Sequence, residues 1–287
     1  MAYSFIRRST DLNIVTTTSV FPPDYASNKI LDRLFRVGFT CLDMAFDYCI
    51  GSEHPFSGGG WREWASELRA KADLLNVRYT HAHACEGADS RSELMKRCFE
   101  ACSILGVKYL VVHPVYQLNG SIITDASEFV RVNADAIHYW LPFAERNGVV
   151  ILSENILWGA SIKPSVIAEL VKTVNHPNFG WCFDTGHVNC NNLRVSALRD
   201  VSVVPLSLHI QDNHGDSGKD EHLIPGDGNI DWKDFLDSLH QVGYCGDLVL
   251  EAHHQSLFAP DEERDAILRE LLDRTKKMKI YLESIAK

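Results

Sequence analysis

Short apolar, β-branched runs alternate along the chain with segments in which apolar residues recur at intervals of three and four. The first kind reads as buried strand and the second as amphipathic helix. Strands are expected at 13–18 (NIVTTT), 39–44 (FTCLDM), 77–82 (VRYTHA), 107–113 (VKYLVVH), 149–154 (VVILSE), 178–184 (NFGWCFD), 203–210 (VVPLSLHI) and 247–251 (DLVLE). Stretches such as 29–35 (KILDRLF) and 93–99 (ELMKRCF) carry the helical spacing between them. Gly38, Gly106, Gly148 and Gly243 each stand just ahead of a strand, where a helix closes on a left-handed residue. Eight strand–helix pairs in 287 residues predict an α/β fold, a single-domain (β/α)8 TIM barrel over residues 1–287.

Three inter-element stretches are too long for turns: 45–60 with SGGG, 114–126, and 211–230 with GDSGKDEHLIPGDG. Each follows an expected strand, and in a barrel such loops converge on one open end, where sites are built.

Composition narrows the class of function. Lys and Arg number 28 against 38 Asp and Glu, a net charge of −10, so the summed field repels a polyanion and no nucleic-acid partner is expected. No apolar run approaches the roughly 18 residues that span a bilayer, which predicts a soluble chain with no membrane partner. The eight cysteines are scattered without a CxxC pair and the start MAYSFIRRST has no apolar leader, so a reducing, cytoplasmic location is expected.

The chemistry lies at the strand ends. The fourth strand ends in His113, the fifth in Glu154, the sixth in Asp184 followed by His187, the seventh in His209 and the eighth in Glu251. Carboxylates at the ends of apolar strands are costly unless paired or metal-bound, and one cation at the barrel mouth would compensate them together. A carboxylate or histidine at a single strand end has a bland explanation as a cap partner or a satisfied core residue; five strand ends in one ring do not. Three carboxylates and one imidazole suit one divalent ion, Mn, Mg, Co or Zn, with open coordination positions. Cys182 reads as a small core residue on the same face as Asp184 but deeper. Phe46, Tyr48 and Phe56, with Trp61 and Trp64 beyond SGGG, are candidates for an apolar wall or for core. Asp212 is a candidate to orient His209 or bind substrate.

The run HP at His113, SEN around Glu154, FDTGH from Phe183 to His187, LHIQD from Leu208 to Asp212, DEHLIPGDGNID from Asp220 to Asp231 and LVLE ending in Glu251 resembles the xylose-isomerase-like TIM barrel superfamily over nearly the whole chain. That group holds sugar-phosphate isomerases and epimerases, ketose 3-epimerases, inosose dehydratases and isomerases, and nucleases of the endonuclease IV type. The resemblance implies metal ligation by Glu154, Asp184, His209 and Glu251, with Glu154 and Glu251 also serving as the acid–base pair. It implies substrate contacts by His187, and for His113, His222, Asp220 and His83 either substrate contacts or further metal ligation.

The expected activity is isomerisation or epimerisation of a sugar, sugar phosphate or inosose by proton transfer through an enediolate. A proton next to a carbonyl is too weakly acidic to leave near neutrality without a Lewis acid to stabilise the anion. The alternative is a zinc phosphodiesterase acting on abasic DNA with up to three Zn ions, whose extra ligands would fall on His83 or His81, His113, Asp220 and His222. The acidic charge favours a small carbohydrate over DNA. A homodimer or homotetramer is what the resemblance implies.

Overall fold

The structure, a computed structural model, describes residues 12–286. The amino-terminal stretch read above as lacking a leader lies outside the described residues. Eight strands are each found where an apolar run predicts one: β1 Ile14–Thr17, β2 Cys41–Ala45, β3 Arg78–His83, β4 Tyr109–Val112, β5 Val150–Glu154, β6 Phe179–Asp184, β7 Ser207–His209 and β8 Leu248–Leu250. All neighbours run parallel, in the order β8-β1-β2-β3-β4-β5-β6-β7. Closure falls between β7 and β8. There Ile210 N donates to Val249 O at 2.8 Å and Glu251 N donates to Ile210 O at 3.0 Å, which makes the sheet a barrel.

The helices return the chain along the outside: α1 Ser27–Val37, α2 Trp61–Leu75, α3 Glu93–Leu105, α4 Ala126–Asn147, α5 Pro164–Val174, α6 Thr185–Cys190, α7 Trp232–Gln241, α8 His254–Phe258 and α9 Asp261–Ile285. Gly38, Gly106 and Gly148 close α1, α3 and α4 in the left-handed region, and Gly243 takes it two residues beyond the end of α7. Asn76 and Asn175 do the same for α2 and α5, a role the sequence reading did not assign them. The sixth connection departs from the repeat. It holds only the short α6 and a 3-10 stretch, Val195–Asp200, where a full helix was expected. The seventh strand begins at Ser207 rather than 203. Pro205 has no N–H to give a ladder, consistent with the later start.

Strand alternation sorts the side chains. Leu110, Val112, Ile151, Phe183 and Leu208 face outward into the large core shared with the helices. Val111, Leu152 and Cys182 instead pack on one another inside the barrel, as do Val15, Cys41 and Val249 lower down. Two residues further along each of β4, β5, β6 and β8, the same inward face carries His113, Glu154, Asp184 and Glu251. The barrel is therefore apolar below and ligand-bearing at its carboxyl end. On β3 the inward placement depends on a bulge. Leu42 pairs with Tyr79 but Asp43 pairs with His81, so Thr80 is skipped and His83 comes level with Ala45. Without that extra residue His83 would share the outward face of Tyr79.

The long loops are ordered by local structure. Residues 45–60 form two 3-10 turns, Phe46–Cys49 and Pro55–Ser57. Phe46 and Phe56 stack on each other at 4.9 Å, fully buried, and Trp61 and Trp64 are buried on α2. These four are core residues, so no apolar wall is built from them. Residues 114–126 contain a small hairpin, Gln117–Leu118 against Ser121–Ile122. No helix of the described residues is long and apolar enough to cross a membrane.

Candidate metal centre

Four side chains from four strands meet at the carboxyl end of the barrel. One ligand atom from each of Glu154, Asp184, His209 and Glu251 can be chosen so that all four lie within 4.8 Å of one another. Register explains part of this: Asp184 is the direct partner of His209 across β6 and β7, and Glu154 pairs with Cys182 one step away. His209 Nδ1 lies 2.9 Å from Glu154 Oε1 and 3.4 Å from Glu251 Oε2. Glu154 and Asp184 are fully buried, and the Glu251 side chain is 15% exposed.

Two further groups adjoin the first, and Glu154 is shared with one of them. His83, His113 and Glu154 form one, with the two Nε2 atoms 3.2 Å apart and His113 Nε2 3.3 Å from Glu154 Oε2. His187, Asp220 and His222 form the other, Asp220 Oδ2 lying 3.0 Å from His187 Nε2 and 2.7 Å from His222 Nε2. His83, His113, Glu154, Asp184, His187, His209, Asp220, His222 and Glu251 thus fall in three adjoining groups, whereas Asp212 and His81 stand outside them.

The histidine tautomers are set from behind. Nδ1 of His83, His187 and His222 each faces a backbone carbonyl, of Ala84 at 3.1 Å, Asn155 at 2.8 Å and Glu251 at 2.9 Å. A carbonyl only accepts, so Nδ1 carries a proton and Nε2 is the nitrogen turned into the site; facing Asp220 in His187 and His222 it also donates in the metal-free protein, and it is the atom a metal would take once that proton is lost. His222 is held in this pose at φ 47°, a left-handed conformation uncommon for a residue with a Cβ.

The donor set fits a divalent cation on a second count. Asp184 Oδ2 is buried without a hydrogen bond, and Glu154 Oε2, equally buried, has only imidazole nitrogens near it, His113 Nε2 at 3.3 Å and His83 Nε2 at 3.8 Å. A buried carboxylate oxygen left without a hydrogen bond costs on the order of 1–3 kcal/mol or more, which a cation at this point would offset. In its absence the imidazoles balance the charge. Burial pushes the Glu154 carboxyl up, but His209, His113 and His187 outweigh it and hold it well below the usual carboxylate range. Burial also raises Asp184, where Glu154, Asp220 and Glu251 reinforce the shift against His187. It opposes a charged imidazole at His83 and His222, yet the carboxylates raise these to about 10 and about 9. The same balance holds His209 and His187 well above the usual histidine range.

Two contributors, Gln211 and Asp43, were not foreseen. Gln211 is fully buried and donates through Nε2 to Asp220 Oδ1 at 2.6 Å, with Asp184 Oδ1 at 3.4 Å. Its amide gave no metal-ligand signal in the sequence. Asp43 lies on the inward face of β2, two residues above Cys41, and burial pushes it up to about 6. That carboxylate inside an apolar strand was the signal available. His253 stacks on His222 at 4.2 Å. Asp212, a candidate to orient His209 or bind substrate, instead takes three donors of its own loop, Asn213 N, Gly226 N and Ile230 N, and Trp232 Nε1 at the start of α7, at 2.7–3.2 Å. It fastens the 211–230 loop that carries Asp220 and His222.

Fold and site together define a TIM barrel with a cluster of metal-ligand side chains at its carboxyl-terminal mouth. The chain belongs to the xylose isomerase-like TIM barrel family, whose description matches residues 31–278. It is similar to a ketose 3-epimerase of Arthrobacter globiformis, 30% identical over 95 residues that cover 33% of this chain and 30% of that protein. It is also similar to an inosose isomerase of Bacillus subtilis, 26% identical over 173 residues covering 58% of this chain and 59% of the relative. The chain spans less than two thirds of either relative's length. Among solved structures, the IolI protein with a bound zinc atom aligns with a TM-score of 0.73 at 18% identity, over 96% of this chain and 99% of that one. A D-tagatose 3-epimerase-like protein aligns with a TM-score of 0.68 at 24% identity, over 93% and 99%. At these identities the two structures speak for the fold.

Proposed function

We propose that this chain is a divalent-metal-dependent isomerase or epimerase of a sugar, sugar phosphate or inosose, working by proton transfer through an enediolate. The observation that carries the reading is the approach of Glu154, Asp184, His209 and Glu251 to within 4.8 Å of one another at the barrel mouth. The named activities of the ketose 3-epimerase and the inosose isomerase agree with it. Glu154, Asp184, His209 and Glu251 would hold the ion, Mn, Mg, Co or Zn, and when bound it supplies a Lewis acid for the developing oxyanion. The chain's own groups do the rest. Glu154 and Glu251 stand on different strands with His209 between them, so one removes the proton beside the carbonyl and the other returns it. His113, His187 and His222 bind substrate hydroxyls, with Asp220 and His83 beside them.

The test combines metal analysis with deuterium wash-in across a panel of keto-sugars, sugar phosphates and inososes. Solvent deuterium entering one carbon of one substrate, lost on chelation and restored by a divalent ion, is the expected result. No exchange with any member in the metal-loaded protein counts against the reading.

A second reading, an endonuclease IV-like zinc phosphodiesterase, draws on the two adjoining groups His83, His113, Glu154 and His187, Asp220, His222. It predicts three zinc ions per chain and cleavage of an abasic duplex. The net charge of −10 weighs against it, because phosphate contacts by Lys and Arg supply most non-specific affinity for DNA.

A further inference from the structure

Two of the cysteines, 13 residues apart in sequence, meet in space. Cys85 lies in the segment that follows β3, two residues after His83, and Cys98 and Cys102 are one turn apart on α3. The Sγ atoms of Cys85 and Cys98 are 3.4 Å apart, with one thiol donating to the other. Cys85 is half-buried, whereas Cys98 and Cys102 are fully buried. All eight cysteines are free.

We propose that Cys85 and Cys98 form a reversible disulfide when the protein meets a hydroperoxide. The pair combines a cysteine that is only partly buried with a fully buried one already in contact, the arrangement of an oxidisable cysteine beside its resolving partner. The Cys85 sulfur attacks one peroxide oxygen, the O–O bond breaks, and Cys85 becomes a sulfenic acid as water or an alcohol leaves. The Cys98 sulfur then attacks the Cys85 sulfur. The S–S bond forms, the S–O bond breaks, and the Cys98 proton leaves with that oxygen as water. Two thiols are oxidised by two electrons and one peroxide is reduced.

The approach needed is small, from 3.4 Å to the roughly 2.0 Å of a disulfide. Cys98 is fixed in the core of α3, so the segment after β3 is the part that moves. That segment is tied to β4 and its end: Ala84 N donates to Val111 O at 2.8 Å and Ala88 N to His113 O at 3.0 Å. Closing the bond therefore draws on the backbone that sets His83 against His113. This inference concerns a bond between two thiols and does not depend on the proposed activity.

The test is peptide mapping after hydrogen peroxide treatment, without reductant, in a Cys245→Ser background that removes the exposed cysteine. The expected product joins tryptic peptides 79–91 and 98–108, two hydrogen atoms lighter than their sum, and dithiothreitol reverses it. Cys85→Ser and Cys98→Ser each abolish it, and Cys102→Ser leaves it unchanged. Oxidation of Cys85 to sulfinic acid without cross-linking overturns the proposal. So does a bond from Cys85 to Cys49 or Cys102, or the absence of any oxidation at Cys85.

Discussion

His209 Nδ1 lies 2.9 Å from Glu154 Oε1, across 55 residues of chain and two strand boundaries. A neutral imidazole nitrogen with a lone pair would repel that oxygen. The contact therefore needs either a proton between the two atoms or a cation beside them, and several measurable outcomes depend on which is present.

Replacing Glu154 or Glu251 with Gln keeps shape and volume while removing the charge and the proton-accepting oxygen. Turnover is expected to fall by about 10²–10⁴-fold or more in each variant. Circular dichroism should remain that of the parent. Steady-state rates on the substrate found by deuterium wash-in check this, and full activity in either variant removes the acid–base assignment.

Cation binding should tighten as pH rises. In the metal-free protein the imidazole of His209, the one histidine among the four proposed ligands, is held well above the usual histidine range. Near pH 7 to 8 it carries a proton that a metal must displace, because only the neutral ring ligates. Each proton released adds up to about tenfold in affinity per pH unit below the corresponding pKa. Calorimetric titration with Mn²⁺ in two buffers of different ionisation heat reads the number of protons released. Binding that weakens as pH rises over this range would reverse the sign.

Asp212→Ala should loosen the loop that brings Asp220 and His222 to the site. The substitution leaves the N–H groups of Gly226 and Ile230 and the indole of Trp232 without their acceptor. The expected loss is about 2–4 kcal/mol of stability. Amide hydrogen exchange should accelerate within 211–230 and stay unchanged in the strands. Uniform acceleration across the barrel would show that Asp212 supports the whole fold rather than the loop.

Gly186→Ala tests the packing behind the site. A Cβ at this position would stand 2.1 Å from Gln211 Cδ, so the amide must leave its place between Asp184 and Asp220. A loss of about 1–3 kcal/mol in stability is expected. A weaker cation affinity should accompany it, and the double variant with Gln211→Ala should recover much of the stability.

The barrel was legible because all eight strands are apolar runs and a glycine stands at or just past the end of four of the helices that precede them, signals that are local in sequence. The site was legible for a related reason: His113, Glu154, Asp184 and Glu251 each sit where an inward apolar series gives way to a polar residue. Legibility failed where the cause was not local. The bulge at Thr80 that turns His83 inward shows only in the pairing of β2 with β3. Gln211 bears no ionisable group, and its importance arises from the missing side chain of Gly186 beneath it. Asp212 looked like a site residue because its sequence neighbours are, although its contacts are with the loop ahead of it.

The seam of the cylinder has a bearing on synthesis. His209 and Glu251 flank the junction made by Ile210 with β8, so the last strand delivers both the closing contact and the final carboxylate. A nascent chain released only as far as α7 holds three of the four proposed ligands on an open sheet. Ion capture should thus coincide with completion of the ring, and an ion once seated would act as a clasp between the two sides of the join, slowing its reopening.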